Sequence, residues 1–197
     1  FAARSKPRPT ERDQFGREIG WDQVPPAPAE APTSIEQVSL DIPPGAKYTP
    51  SPEDWRDEIF YAAILDRFAR AEPSTTWGDP ADWRTRHGGN IRGLMQRLDY
   101  LKGLGITTVL INPILMNPPA GSHGYWAINF LAVDPQVGAL AEFRQLVAEA
   151  HKRGMRIVLD MVFNHTGPVA EYEGGYKFGP AKRIKKRFFS PSALRTN

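Results

Sequence analysis

Ile157-Val158-Leu159-Asp160-Met161-Val162-Phe163-Asn164-His165 is the stretch from which the fold can be read. An apolar run passes one acid and ends abruptly in an amide and an imidazole. A strand with an apolar interior and ligand-type side chains at its carboxyl end is how a (β/α)-barrel enzyme builds its active face. Upstream, His123-Gly124-Tyr125-Trp126 followed by Val133-Asp134-Pro135 forms a second cluster of aromatic and polar groups.

Working back from this stretch, the pattern alternates. The run from Arg156 to Phe163 is preceded by a helical repeat from about Ala139 to Arg153, with Leu140, Phe143, Leu146, Val147 and Ala150 as its apolar stripe. Lys152, Arg153 and His151 suit the negative end of that helix, and Gly154 suits the position just past it. Before it lies a loop rich in Gly and Pro, and before that a β-branched strand, Ile106 to Ile111, ending in Asn112-Pro113. A further helix is expected from Ile91 through Leu94, Met95, Leu98, Leu101 and Leu104, with Asn90 as its N-cap and Gly103 and Gly105 at its end. Ile59 to Leu65, closed by Asp66-Arg67-Phe68, reads as a first strand buried on both faces.

Strand, helix, strand, helix, strand with short turns argues for a parallel sheet flanked by helices. Three such units fit an open doubly wound sheet or part of an eight-fold barrel. No Gly-x-Gly-x-x-Gly turn follows the first strand, and no Gly-Lys-Ser/Thr phosphate loop occurs, so a nucleotide fold loses its best marker. The polar residues Asp66, Asn112, Asn164 and His165 gather at strand carboxyl ends, the active edge of a barrel, although an open sheet also places its site there.

Bulk properties exclude more than they assign. The chain has 197 residues, enough for one domain or most of one, and its 41% hydrophobic content allows a sizeable core. Without cysteine there is no disulfide framework and no thiolate metal site. No apolar run approaches the ~20 residues of a membrane span, so no membrane partner is expected. The first residues, Phe1 to Lys6, carry no apolar leader, and a chain opening on Phe reads as a processed product or a piece of a longer protein. A net charge of +3 is mild, and the basic run Lys182 to Arg187 reads as a solvated loop, so no nucleic-acid partner is expected.

Residues 1-52 are rich in proline and charge and read as an extended arm or linker, with a short strand possible at Ile35 to Ile42 and Trp21 as a pin to the main domain. Residues 53-167 hold the β/α units. Residues 168-197, with Gly174-Gly175 and the basic run, are irregular.

The residues resemble the α-amylase family of glycoside hydrolases and transglycosylases. Ile59-Phe60-Tyr61 through Asp66-Arg67-Phe68 is similar to the family's first barrel strand. His87-Gly88-Gly89-Asn90 through Leu98-Asp99-Tyr100-Leu101-Lys102 and Leu104-Gly105-Ile106 is similar to its first helix and second strand. His123-Gly124-Tyr125-Trp126 with Val133-Asp134-Pro135 and Gly138 resembles the following loop, and Asp160 through Asn164-His165 the end of the third strand. The four matches lie in family order, over roughly residues 57 to 168.

The resemblance implies a partial (β/α)8 TIM barrel, its first three β/α units at 53-167, with 168-197 as the start of an insertion after the third strand. It implies that Tyr125 is the aromatic platform under the sugar that is cleaved, a ring covering the C–H face of a pyranose. His165 resembles the histidine that hydrogen-bonds the same sugar, and a neutral imidazole can donate. His123 and Trp126 line the same loop. Asn164 resembles a ligand of a structural Ca2+, which prefers such hard oxygens. Asp160 resembles a buried acid that orients the strand end.

Each residue taken singly has an ordinary reading: packing aromatics for Tyr125 and Trp126, a satisfied strand-end histidine for His165, a turn cap for Asn164, an arginine partner for Asp66. The chain departs from the family at Asn90 and Asn129, where aspartate is common, and has no tryptophan before Asn112-Pro113.

The family's catalytic aspartate and glutamate follow its fourth and fifth strands, which this chain does not reach, so no catalytic residue is assigned. The expectation is an N-terminal fragment of a retaining α-glucan-active enzyme, carrying part of a sugar subsite and needing the remainder of the barrel to fold. The alternatives are a non-catalytic binding or scaffold relative and an unrelated barrel with metal-assisted chemistry. By analogy the parent would be secreted or periplasmic.

Overall fold

The structure is a computed structural model that describes residues 26–39, 44–45, 48–72, 81–82, 85–118 and 121–167, with the backbone of 171–172 and 194–195. In chain order its elements are β1 (Phe60–Ala63), α1 (Leu65–Phe68), α2 (Ile91–Gln96), α3 (Leu98–Gly103), β2 (Thr108–Ile111), β3 (Leu115–Met116), β4 (Asn129–Val133), α4 (Leu140–Lys152), β5 (Arg156–Leu159), β6 (Glu171–Tyr172) and β7 (Leu194–Arg195). Short 3₁₀ turns sit at Ile35–Gln37 and Trp55–Asp57.

β1, β2 and β5 form a 3-stranded sheet in the order β1-β2-β5. Both pairings are parallel, with Tyr61 opposite Val109 and Val109 opposite Ile157. Parallel pairing requires crossover connections, and these put helices against the sheet. The core is filled by Leu94, Leu98 and Leu101 from α2 and α3, Val109 and Ile111 from β2, and Leu146 and Ala150 from α4, all fully buried. Central β2 is buried along most of its length. β1, expected to be buried on both faces, is not: Phe60 is 46% exposed, because among the described residues β1 has a strand on one side only. β5 is half-buried along its length for the same reason.

The strands are shorter than their apolar runs. Pro113 has no N–H to extend the β2 ladder, and the bond from Asp160 N–H to Ile111 O is the last one between β2 and β5. The chain from Met161 to Phe163 therefore leaves the sheet, and Phe163 is 85% exposed. At β1 the chain turns into α1 after Ile64. The expected strand at Ile35 to Ile42 is instead a 3₁₀ turn at Ile35–Gln37, and the remainder of that span beyond Ser39 lies outside the described residues, as do Trp21, Gly174-Gly175 and the basic run Lys182 to Arg187.

The single helix expected from Ile91 to Leu104 is two. Arg97 leaves the helical region at φ −102°, ψ 4°, and its N–H bonds to Leu94 O in a tight turn. Leu94 and Leu98 both stay fully buried across this break. Asn90 is the N-cap expected: its Oδ1 accepts from Gly93 N–H at 2.7 Å. α4 runs as expected, with Ala139 N–H donating to Glu142 at 3.1 Å, but Leu140 at its first turn is exposed. Thr49 Oγ1 lies 3.0 Å from His151 Nδ1, which fastens the end of the arm to α4.

The two ends of the sheet are built differently. At the amino end one carboxylate, Glu58, accepts from Thr108 Oγ1 at 2.7 Å and from Arg156 Nη1 at 2.6 Å, stitching β2 to β5. In barrels that face serves stability, and chemistry sits at the other. At the carboxyl end an antiparallel pair, β3 and β4, carries Asn117, Pro118 and residues 121 to 128. This hairpin was not anticipated; β3 is two residues long and carries no readable alternation. Among the described residues no helix is long and apolar enough to cross a membrane.

Candidate sugar-binding site

The carboxyl ends of β1 and β2 are tied down by their own polar residues. Asp66, 2% exposed, accepts from the backbone N–H groups of His87 and Gly88 at 3.0–3.1 Å and pairs with Arg67 Nε at 3.0 Å. That fastens the incoming loop so closely that a Cβ on Gly89 would lie 2.0 Å from Leu65 O. Asn112 accepts from Leu65 N–H at 2.8 Å and donates to His123 O at 2.9 Å. Both residues stand at the expected edge, and both bond backbone groups, Asp66 with the Arg67 side chain besides.

The loop above them is held from beneath. Asn117, 1% exposed, donates through Nδ2 to Leu115 O at 2.7 Å and Gly124 O at 3.0 Å, and accepts from Trp126 N–H at 2.7 Å. Its own N–H donates to Asp134 Oδ2 at 3.3 Å. Asp134 is buried against Arg86, Nη2 to Oδ2 3.1 Å, both side chains under 5% exposed. Burial pushes the Asp134 carboxyl above its ordinary range, with Arg86 and the backbone donors of Gln136 and Asn117 pulling the other way. Sequence reading did not single out Asn117 or Arg86. The Asn-Pro dipeptide at 117–118 is a turn signal, but nothing local in the sequence announces a buried ion pair 48 residues apart.

On this base the aromatic motif is assembled. His123 and Tyr125 rings stack at 5.8 Å, and His123 meets Trp126 edge-on at 4.7 Å. Gly124 makes the turn between them at φ +84°, and a Cβ there would lie 2.1 Å from Pro113 O. His123 Nδ1 accepts from Tyr125 N–H at 3.0 Å, so the neutral ring carries its proton on Nε2.

Tyr125 is 39% exposed, and it reaches the third strand. Its hydroxyl donates to Asp160 Oδ2 at 2.6 Å. That bond, with some burial and the carboxylate's charge, raises the phenol above its ordinary value. Asp160 is half-buried rather than buried, because β5 has no neighbour on its outer side among the described residues. His165 holds the backbone of Tyr125: Nε2–H donates to Tyr125 O at 3.0 Å. The structure thus brings His123, Tyr125, Trp126, Asp160 and His165 to one rim. Gly167 N–H closes it by donating to Ala127 O at 2.6 Å.

Asn164 stands beside the rim, exposed, with its Nδ2 3.4 Å from His165 Nδ1. Its amide oxygen is a hard ligand, but calcium takes six to eight oxygens. Among the described residues no group of three or more His, Asp or Glu could hold a metal ion. These residues alone do not make a calcium site.

Chemically, the rim offers a partly exposed aromatic face beside imidazole and carboxylate groups, a mixed apolar and polar surface of the kind that suits a sugar ring. Known proteins resemble this chain over the same stretch. Residues 63–193 match the family model "Alpha amylase, catalytic domain". Neopullulanase 2 of Thermoactinomyces vulgaris is 41% identical over 148 residues, covering 71% of this chain and 25% of that protein. An alpha-amylase of Streptomyces lividans is 41% identical over 108 residues, covering 50% of this chain and 12% of its own. Among solved structures, an Anoxybacillus alpha-amylase superposes with a TM-score of 0.57 at 41% identity, over 59% of this chain and 26% of that one. The alpha-amylase of Geobacillus thermoleovorans complexed with acarbose gives 0.54 at 40%, over 59% and 25%. The chain therefore spans about a quarter of these proteins or less, and its parallel sheet is part of a (β/α)8 barrel.

Proposed function

The chain belongs to the alpha-amylase family of glycoside hydrolases, and from that premise we propose that it carries one wall of an α-glucan subsite in a retaining hydrolase or transglycosylase. The sugar ring lies on Tyr125. His165 stands beside the platform with its Nε2–H given to Tyr125 O, and His123 and Trp126 back the platform. The carboxylate pair that performs retaining chemistry, two groups about 5–5.5 Å apart, belongs to barrel strands outside the described residues. These strands also cover the open edges of β1 and β5 and complete the fold.

The observation that carries this reading is the closure of Tyr125 by Asp160 and His165. One segment, 35 to 40 residues further on, fixes this residue twice: Asp160 takes the hydroxyl and His165 the backbone carbonyl. A packing tyrosine would be buried; this one is anchored by its hydroxyl with much of its surface left open.

A structural calcium ion enters the proposal with Asn164 as its one ligand here, the other oxygens coming from outside the described residues. If so, calcium raises the melting temperature of the whole protein and Asn164→Ala removes that rise. The test of the sugar site is calorimetric titration of the whole protein with maltoheptaose. Tyr125→Ala is expected to weaken binding about tenfold, a loss of roughly 1.4 kcal/mol, by removing the ring that covers the sugar's C–H face. Unchanged binding in that variant would remove the sugar reading.

A further inference from the structure

We propose that Asn117 is a positioning residue for the sugar platform: its buried side-chain amide grips the backbone immediately before and after Tyr125 and so sets where that ring stands. The inference rests on Tyr125 being the platform.

One planar group holds the loop on both sides of Tyr125. Nδ2 donates to Gly124 O at 3.0 Å, and Oδ1 accepts from Trp126 N–H at 2.7 Å. The residue between them is Tyr125. The third bond, Nδ2 to Leu115 O at 2.7 Å, anchors the amide to β3. An amide is the one uncharged side chain that donates two bonds and accepts in the same plane. The donors and acceptors around it leave one orientation: two carbonyls face Nδ2 and one N–H faces Oδ1. A carboxylate there would meet two carbonyls, and a hydroxyl would be too short to span the loop.

The surroundings are shaped for this amide. Asn117 is 1% exposed, so each bond is made without competition from water. Gly121 leaves room for it, since a Cβ at Gly121 would lie 2.9 Å from Asn117 Oδ1. Asp134, fixed by Arg86, holds the Asn117 backbone from below at 3.3 Å. Nothing in this chain of contacts touches the exposed face of Tyr125. The clamp acts on the loop's backbone and leaves the ring free to meet a ligand.

The test is a double-mutant cycle in the whole protein, read as the dissociation constant for maltoheptaose at a temperature where every variant is folded. Asn117→Ala is expected to weaken binding about tenfold, a loss equivalent to roughly one well-placed hydrogen bond to the platform. In a Tyr125→Ala background the same change is expected to cost less than about twofold, because the clamp then positions nothing. A merely structural role would produce no such coupling. Should Asn117→Ala fail to fold, Asn117→Ser, which keeps an oxygen at the site, replaces it in the same cycle.

Three outcomes are separable. Weak binding with strong coupling to Tyr125 supports the clamp. Full-strength binding by the Asn117 variant, or an equal loss with and without the Tyr125 ring, overturns it while leaving the sugar site intact. No loss on Tyr125→Ala itself overturns the sugar site, and the clamp's functional role with it.

Discussion

The Tyr125 hydroxyl donates to Asp160 Oδ2 at 2.6 Å, joining the loop that follows β2 to the end of β5. This bond protects the phenol's proton. Tyr125 ionises above its ordinary value of 10.0, because the bond to Asp160 is lost and charge meets charge when it does. The folded pKa is raised, so the bond's contribution to stability is complete below the ordinary phenol pKa. It is lost as pH rises through the raised one. Asp160→Asn is expected to bring the titration of Tyr125, followed by carbon-13 NMR of labelled tyrosine, back toward 10.0. An unmoved titration would show that the carboxylate does not hold the hydroxyl in solution.

The Arg86–Asp134 pair is buried beneath the same loop. Removing one partner strands a charge in the interior, at a cost of about 3–5 kcal/mol. Arg86→Met is therefore expected to lower the urea midpoint steeply, and adding Asp134→Asn to recover part of the loss. Equal stability of Arg86→Met and wild type would mean that solvent reaches Asp134.

Two glycines with nearly the same backbone angle separate strain from crowding. Gly105 has φ +83° with nothing within 4 Å of an added Cβ, and Gly124 has φ +84° with Pro113 O at 2.1 Å. Gly105→Ala should cost about 1–2 kcal/mol, the left-handed penalty alone. Gly124→Ala should cost clearly more, read as a larger fall in melting temperature, and should weaken maltoheptaose binding as well.

Hydrolysis needs the carboxylate pair, and the proposal puts that pair outside the described residues. The 197-residue chain purified by itself is expected to release no reducing sugar from maltoheptaose, and to aggregate through β1 and β5, whose outer edges have no partner strand among the described residues. Turnover by the isolated chain would overturn the assignment.

Much of the frame was legible because periodicity survives folding. Leu94, Leu98 and Leu101 announced their buried face, Asn90 its capping role, and Gly105 and Gly154 their left-handed turns. The rim residues Tyr125 and His165 were legible through family motifs, since spacing alone leaves either one a packing residue. What could not be read depends on contacts far apart in sequence. The exposure of Phe60 follows from its strand's place in the sheet, and the break at Arg97 appears nowhere in the apolar spacing on either side of it. Asn117 was silent because its importance lies in which carbonyls surround it. Asp66 and Asn112 were placed at the right edge, yet the backbone groups that would claim them were invisible.

The stretch from Asp160 to Gly167 works as a ruler laid alongside residues 125–127. Asp160 meets the Tyr125 hydroxyl, His165 the Tyr125 carbonyl, and Gly167 the Ala127 carbonyl, with a Cβ at Gly167 falling 2.4 Å from Trp126 O. Three marks on one short segment must coincide with three on the other. The exposed side chain of Phe163 between the marks can be exchanged, but gaining or losing a single residue there would slide every mark out of step at once. Length, more than composition, is what this segment has to keep.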